Sequence, residues 1–358
     1  MTQVQNSLAF MIIAGFIDCF GFLGNTLILC YLFFNRVGSK LTTTLMKNQL
    51  AFDGLISGFA LCSLVIDTSL FDKLGPLSVV FCRLWVSRSI FWFMVLLSEI
   101  NLVCIAMDRI RAVAFSSTYR QQERCTLIFY YVTIFVYSMI FATPSMFTVI
   151  YDGSTCTHRL MTHSDDTVDT YMFAYAYTWL FSGYLVPGLV MAGCHITIVV
   201  LMHKTILKSL RVSRQTPISE TQRNSGSLKL GRSKLSIFSR SFIVTAIVMW
   251  SVFLITHAYY TIYAILCTHE IVPFEADSIT RRVGIFTTVL NSTLNPLIMV
   301  ISSPPFRRGI WRFLQSYNYA TTTSGGNHVT RFDGTSRNRT SMTNRNHSSS
   351  TVDRNNRE

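Results

Sequence analysis

Seven long apolar stretches, at approximately 8–34, 42–66, 79–112, 124–150, 171–203, 235–266 and 278–302, limit what this chain can become. Each reaches the roughly 20 residues that a helix needs to cross the hydrocarbon core of a bilayer. Without water at hand, a spanning segment must bond its own backbone N–H and C=O groups, which a helix does locally. The chain therefore reads as an all-α membrane protein, a seven-helix bundle. Composition agrees: 14% of the 358 residues are charged, against roughly a quarter in soluble domains. Residues 1–6 carry no basic run and no small-residue cleavage site, so the first stretch is expected to be a retained span and not a cleaved leader.

Charge placement predicts orientation, because basic loops stay in the cytoplasm. Arg36, Lys40 and Lys47 flank the first connection, and Arg111, Arg120 and Arg124 the third. The fifth, 204–234, carries Lys204, Lys208, Arg211, Arg214, Arg223, Lys229, Arg232 and Lys234 against Glu220 alone. The opposite connections lean acidic, with Asp67, Asp72, Asp152, Asp165, Asp166, Asp169, Glu270, Glu275 and Asp277. The N-terminus is thus expected outside a plasma membrane and the C-terminus inside. The net charge of +13 is read as topology. With basic residues beside apolar spans and no binding module, no nucleic-acid partner is expected.

Three segments follow: a short extracellular N-terminus, 1–7; a membrane domain, 8–315; and a Thr, Ser, Asn and Arg-rich tail, 316–358, too polar to offset its ordering entropy. Residues 321–324 and 348–351 are candidate phosphosites, although plain solvation accounts for such composition equally well. Of nine cysteines, Cys82 and Cys156 fall at the oxidising face and are candidates for a bridge; Cys267, nearby, competes.

Ionisable and amide side chains inside spans are costly and mark function or structure. Asp53, Ser98, Glu99, Asp108, Arg109, Asn291, Ser292, Asn295, Asp18, His195 and His257 are of this kind. Several stand in recognisable order. Gly24-Asn25 lies in span one and Asn48…Asp53 in span two. Span three ends in Asp108-Arg109-Ile110, with Tyr119 ten residues beyond Arg109. Pro187 precedes Cys194-His195 in span five, Asn291-Ser292-Thr293-Leu294-Asn295-Pro296 fills span seven, and Phe306-Arg307 follows. Over roughly 10–315 the chain resembles the rhodopsin-like (class A) G-protein-coupled receptors.

That resemblance implies a seven-helix receptor with a short amphipathic eighth helix at about 305–314. It places Asp53, Ser98, Asn291, Ser292 and Asn295 around an allosteric sodium ion, with a water-filled network as the alternative. Asp108 and Arg109 become the G-protein-coupling switch, with Pro187, Trp250, Asn295 and Pro296 as its moving parts. Asn295 is expected to bond backbone groups freed by Pro296. Trp250 matches the toggle tryptophan, but Val252 replaces the proline two residues on and Ala246 the phenylalanine four residues back. Ile110, His195 and Met299 replace three tyrosines. Arg232 stands where many relatives carry an acid that clamps Arg109, which predicts basal activity. Cys82 lies 27 residues before Arg109, two more than usual, and a bulge at the top of span three would absorb the excess.

Phe91 stands where amine receptors carry their aspartate, and Val289 where visual pigments carry the retinal lysine, so neither ligand is expected. Arg88, Trp92, Val95 and Glu99 share one helical face, and Trp250, His257 and Tyr260 another. With Phe91 they form the expected ligand site. Glu99 is read either as counter-ion to a cationic ligand or as a protonated, hydrogen-bonded acid. A short or basic peptide fits this pocket better than a lipid, and chemosensory ligands stay open. Partners are then an extracellular ligand, the bilayer, a heterotrimeric G protein, and arrestin and receptor kinases at the tail. No catalytic residues are expected. A transporter or channel is the alternative, and its inverted repeats or broken helices are not found in the sequence.

Overall fold

The structure, a computed structural model, describes the backbone of residues 2–66, 75–115, 119, 121–158, 166–215, 226–275, 278–302 and 304–323. Eight helices organise it: α1 Thr2–Phe34, α2 Lys40–Val65, α3 Ser89–Ala114, α4 Glu123–Ala142, α5 in three joined parts, α6 Gly226–Thr268, α7 Ile279–Ser302 and α8 Pro304–Thr323. The parts of α5 are Asp166–Thr178, a π-helical run Trp179–Leu185 and Val186–Gln215. Seven of the eight are long and apolar enough to cross a membrane. Helix α1 begins at Thr2, and its membrane-length apolar stretch runs Leu8–Phe34, as the sequence predicts.

Their outward faces are apolar: Phe16, Phe34, Leu189 and Ile255 are each more than two-thirds exposed. In water such faces would not persist, whereas hydrocarbon leaves them without penalty. Polar residues are instead turned inward. Helix α3 is the most enclosed and touches α2, α4, α5 and α6, while α1 packs on α2 and α7. Gly21 permits that last approach, since a Cβ there would stand 2.5 Å from the Thr293 hydroxyl of α7 and 2.7 Å from the Ser57 hydroxyl of α2.

Pro296 lacks an N–H, which leaves the carbonyl four residues earlier without its helical donor. That carbonyl belongs to Ser292, and Asn25 Nδ2 donates to it at 3.1 Å. The repair comes from α1 and not, as the sequence suggested, from Asn295.

The chain divides into two units, 1–314 and 315–358. In the first, α8 lays Phe306, Ile310 and Phe313 against the bundle, with Phe306 and Phe313 edge-on to Tyr31, and turns Arg307, Arg308 and Arg312 outward. In the second, helix is described as far as Thr323. The tail phosphosites and the side chains of 205–242, Arg232 among them, lie outside the described residues.

At the other end a disulfide joins Cys82 to Cys156, with Cα atoms 5.7 Å apart; Cys267 is a free, buried thiol. Cys156 opens β2 (Cys156–His158), paired antiparallel with β1 (Val149–Tyr151). Asp152 closes the hairpin, its Oδ1 accepting the amides of Ser154 (2.8 Å) and Thr155 (2.7 Å). These donors hold its carboxyl below the usual carboxylate range. The excess residues between Cys82 and α3 are taken up by a π-helical turn at Cys82–Val86 followed by Arg88, left-handed at φ 60°. The bulge expected there is this pair of features.

Candidate functional site

At the end of the bundle away from the disulfide, α2, α3 and the turn after α3 share one polar cluster. Ser39 caps α2 by accepting the Thr42 N–H at 3.0 Å. The Thr42 hydroxyl is thereby placed to donate to Asp108 Oδ2 at 2.9 Å. Tyr119 donates to Asp108 Oδ1 at 2.7 Å and also contacts Ser39 at 2.8 Å. The Arg109 guanidinium reaches back to Asp108 and to Thr42. Asp108 is wholly buried, a position a carboxylate holds only when paired and hydrogen-bonded. Across from Arg109, α6 and α7 present Thr245, Ala246, Met249 and Met299. Helix α6 contains no Asp or Glu from end to end, so no carboxylate of that helix clamps Arg109.

One helical turn after another toward the disulfide end, α2, α3 and α7 converge on Asp53. Ser98 donates to its Oδ1 at 2.7 Å, and Gln49 and Asn295 to its Oδ2 at 3.0 and 2.7 Å. Asn101 fixes the Gln49 amide the right way round by donating to its Oε1 at 2.9 Å. A carboxylate offers about four lone-pair positions, and three protein donors are bound to this one. The Gln49 nitrogen also contacts Ser98 Oγ at 2.6 Å. It therefore sits between Ser98 and Asp53. The residues expected to hold sodium gather here, with the Asn291 and Asn295 side-chain oxygens left without protein donors. Gln49 adds a donor where a cation would need open oxygens.

Nearer the disulfide end, α3 and α6 meet at a buried acid–imidazole contact: His257 Nε2 lies 2.9 Å from Glu99 Oε1, and both side chains are at least 95% buried. Nδ1 of His257 lies 3.2 Å from the Phe253 carbonyl, so one ring nitrogen addresses the backbone and the other the acid. Phe253, fully buried, stacks against the same ring at 4.6 Å. Trp250 is elsewhere. Its indole donates to the Gly188 carbonyl at 3.1 Å, next to Pro187, and it packs beside His195. Glu99 and His257 face each other, and Phe91 lies in the apolar core against Trp92 (1% exposed). None of these three, nor Trp250, lines the cavities described next.

Among the described residues, cavities open toward the disulfide end. A small one, about 40 Å³, lies under the hairpin among Trp92, His158, Tyr175, Tyr260, Phe274 and Arg281. Trp92 is its floor, ring to ring with Tyr260 (4.5 Å) and Trp179 (4.7 Å). Arg281, buried, lies over the Phe274 ring, and burial together with Arg281 and Arg88 lowers the His158 pKa to about 3. A second cavity, about 320 Å³, lies between α1, α2 and α7, with Asp18, Arg88, Arg282, Phe10, Phe286 and Val289 in its wall. Arg88 lines this one and also acts on His158 under the hairpin; it caps α3 in a left-handed conformation, ahead of the helical face that carries Trp92. Arg281, Arg282, His158, Gln49 and the Thr42–Tyr119 partnership were not found by sequence reasoning.

Comparison with known proteins returns one family. The model for "7 transmembrane receptor (rhodopsin family)" matches residues 24–299. A protein of Mizuhopecten yessoensis named "Rhodopsin, GQ-coupled" is 24% identical over 310 residues. That alignment covers 82% of this chain and 56% of the scallop protein, so the chain spans little more than half of that relative's length. The crystal structure of squid rhodopsin superposes with a TM-score of 0.60 at 15% identity, covering 90% of this chain and 87% of that one.

Proposed function

Because this chain belongs to the rhodopsin family of seven-transmembrane receptors, a family of receptors and not of enzymes, we propose that it turns an extracellular ligand into G-protein activation at the plasma membrane. The disulfide end faces outward and the Arg109 end the cytoplasm, in keeping with the basic loops. One observation carries the reading: the Arg109 guanidinium is folded back onto Asp108 and Thr42, with Tyr119 completing the set. Such an arrangement is a latch. An always-charged fork can exchange these partners for groups on an incoming G-protein helix without changing protonation state.

Ligand binding acts by preferring the open bundle; only differential affinity shifts the balance. The Glu99–His257 pair, tying α3 to α6 above Phe253, is the inner restraint that must part as α6 swings. Sodium is not needed in this scheme, since Gln49 supplies the donor at Asp53. The scallop relative is named as Gq-coupled, which makes Gq the first G protein to test. Its retinal chemistry does not carry over: α7 contains no lysine, and Val289 is buried where the pigments' lysine would stand. The cavity under the outer hairpin, about 40 Å³, is too small for a peptide as it stands, whereas the roomier cavity described above has small-molecule dimensions. Arrestin and receptor kinases would read the tail.

The test is a ligand screen in cells carrying a promiscuous G-protein reporter, with Arg109→Ala as control. A ligand response in the wild type that Arg109→Ala abolishes supports the receptor. Ligand-driven flux that survives in Arg109→Ala refutes it in favour of transport.

A further inference from the structure

Asp18 is 97% buried in α1, and its Oδ1 has no hydrogen-bond partner. Burying an acceptor without a donor costs stability, and the penalty is worse for a group that can ionise. The same side chain lines the 320 Å³ cavity between α1, α2 and α7, beside Ser63. The remaining walls are chiefly apolar, with Phe10, Met11, Leu64, Ile285, Phe286 and Val289. Toward the disulfide end the lining changes character, with the guanidinium groups of Arg88 and Arg282. Both arginines have interactions within the protein. A guanidinium has five N–H donors, however, and can serve a ligand as well.

The cavity is thus polar at two places with oil between them. Phe10 to Asp18 is eight residues of α1, a rise of about 12 Å; Arg282 to Val289 is seven residues of α7, about 10 Å. We infer that this cavity binds a small zwitterionic amphiphile: a carboxylate held by Arg88 and Arg282, an apolar chain along Phe286 and Val289, and an ammonium group donating to Asp18. The chain's length follows from the separation of the two polar ends, roughly 10 Å. The volume suits a ligand of this size. Two guanidinium groups against one carboxylate favour the anionic end entering last, at the mouth. The inference deepens the receptor reading by naming a ligand class, but occupancy of the cavity is read without any G protein.

The experiment uses full-length receptor in lipid nanodiscs and three probes of equal chain length: octanoate, octylamine and 8-aminooctanoate. Thermal unfolding is followed against probe concentration. We expect 8-aminooctanoate to raise the midpoint saturably, at concentrations at least tenfold below those required for octanoate or octylamine. Asp18→Asn should erase its advantage over octanoate, and Arg282→Gln its advantage over octylamine. Val289→Phe, which fills the cavity with apolar volume, should remove all three responses while the protein still unfolds cooperatively. Equal potency of the three probes on the wild type would overturn the inference, as would an unaltered 8-aminooctanoate response in Asp18→Asn. The wild-type comparison decides alone if a variant does not fold. Loss of G-protein coupling with probe binding intact would fault the receptor reading and leave this site standing.

Discussion

Gln49 is one of three protein donors to a wholly buried carboxylate, Asp53. Replacing it by leucine removes one donor from Asp53 and strands the Asn101 amide that now holds Gln49 in place. Lost hydrogen bonds at buried polar groups cost about 1–3 kcal/mol each, so Gln49→Leu should lower the unfolding midpoint of the solubilised receptor. It should also create a sodium dependence that the wild type lacks: wild-type midpoints equal in sodium and choline chloride, Gln49→Leu higher in sodium. A sodium-specific, saturable shift in the wild type would refute Gln49 as the group that takes a cation's place at Asp53. His158 makes a pH prediction. Its pKa is about 3 in the folded hairpin, against about 6.5 when free. Between those values the unfolded chain binds the proton and the folded one does not, so stability rises with pH there. Stability should therefore fall as pH drops from about 6.5 toward 3, by at most about 1.4 kcal/mol per unit, and His158→Phe should flatten the slope. At this scale Asp53, Ser98 and Asn295 were legible, because each belongs to an ordered motif. Gln49 escaped because it departs from the motif, although its place four residues before Asp53 puts both on one helical face. Arg281 and His158 meet only through loop geometry, for which no sequence period exists.

Between elements, the Glu99–His257 contact is the restraint most exposed to test. Removing one partner of a buried pair leaves the other uncompensated, at a cost of about 3–5 kcal/mol. If the pair holds α6 against α3, much of that loss falls on the closed state, and each 1.4 kcal/mol shifts the closed-to-open ratio tenfold. Glu99→Gln should raise agonist-free signalling, and the double variant Glu99→Gln/His257→Asn should show strong non-additivity in a double-mutant cycle. Additive effects would mean the two side chains are merely neighbours. The Cys82–Cys156 bridge ties the hairpin to the head of α3, and its removal by Cys156→Ser should cost about 2–5 kcal/mol in thermal unfolding. Trp250 and His257 are seven residues apart, close to two full turns, so they lie on nearly the same face of α6. Periodicity groups them; the facing helices decide that Trp250 meets Gly188 and His257 meets Glu99. The π-turn at Cys82–Val86 was legible as two surplus residues but not as a conformation, and neither was the left-handed cap at Arg88.

Across the whole molecule, seven apolar runs made the architecture readable before any motif was considered, since lipid tolerates so few ways of satisfying a backbone. Motif order supplied the family. What the sequence left open was where the ligand enters, because cavities arise from how helices tilt and pack and not from any one span. The account rests on a charge latch that is closed at rest: Asp108, Thr42 and Tyr119 holding Arg109. The most direct measurement is guanine-nucleotide exchange on purified G protein, without ligand, driven by wild-type, Asp108→Asn and Arg109→Ala receptor in membranes at matched expression. Asp108→Asn should exceed the wild type several-fold, and Arg109→Ala should fall to the level of empty membranes. Exchange by Asp108→Asn no greater than the wild type, or undiminished exchange by Arg109→Ala, would contradict the latch.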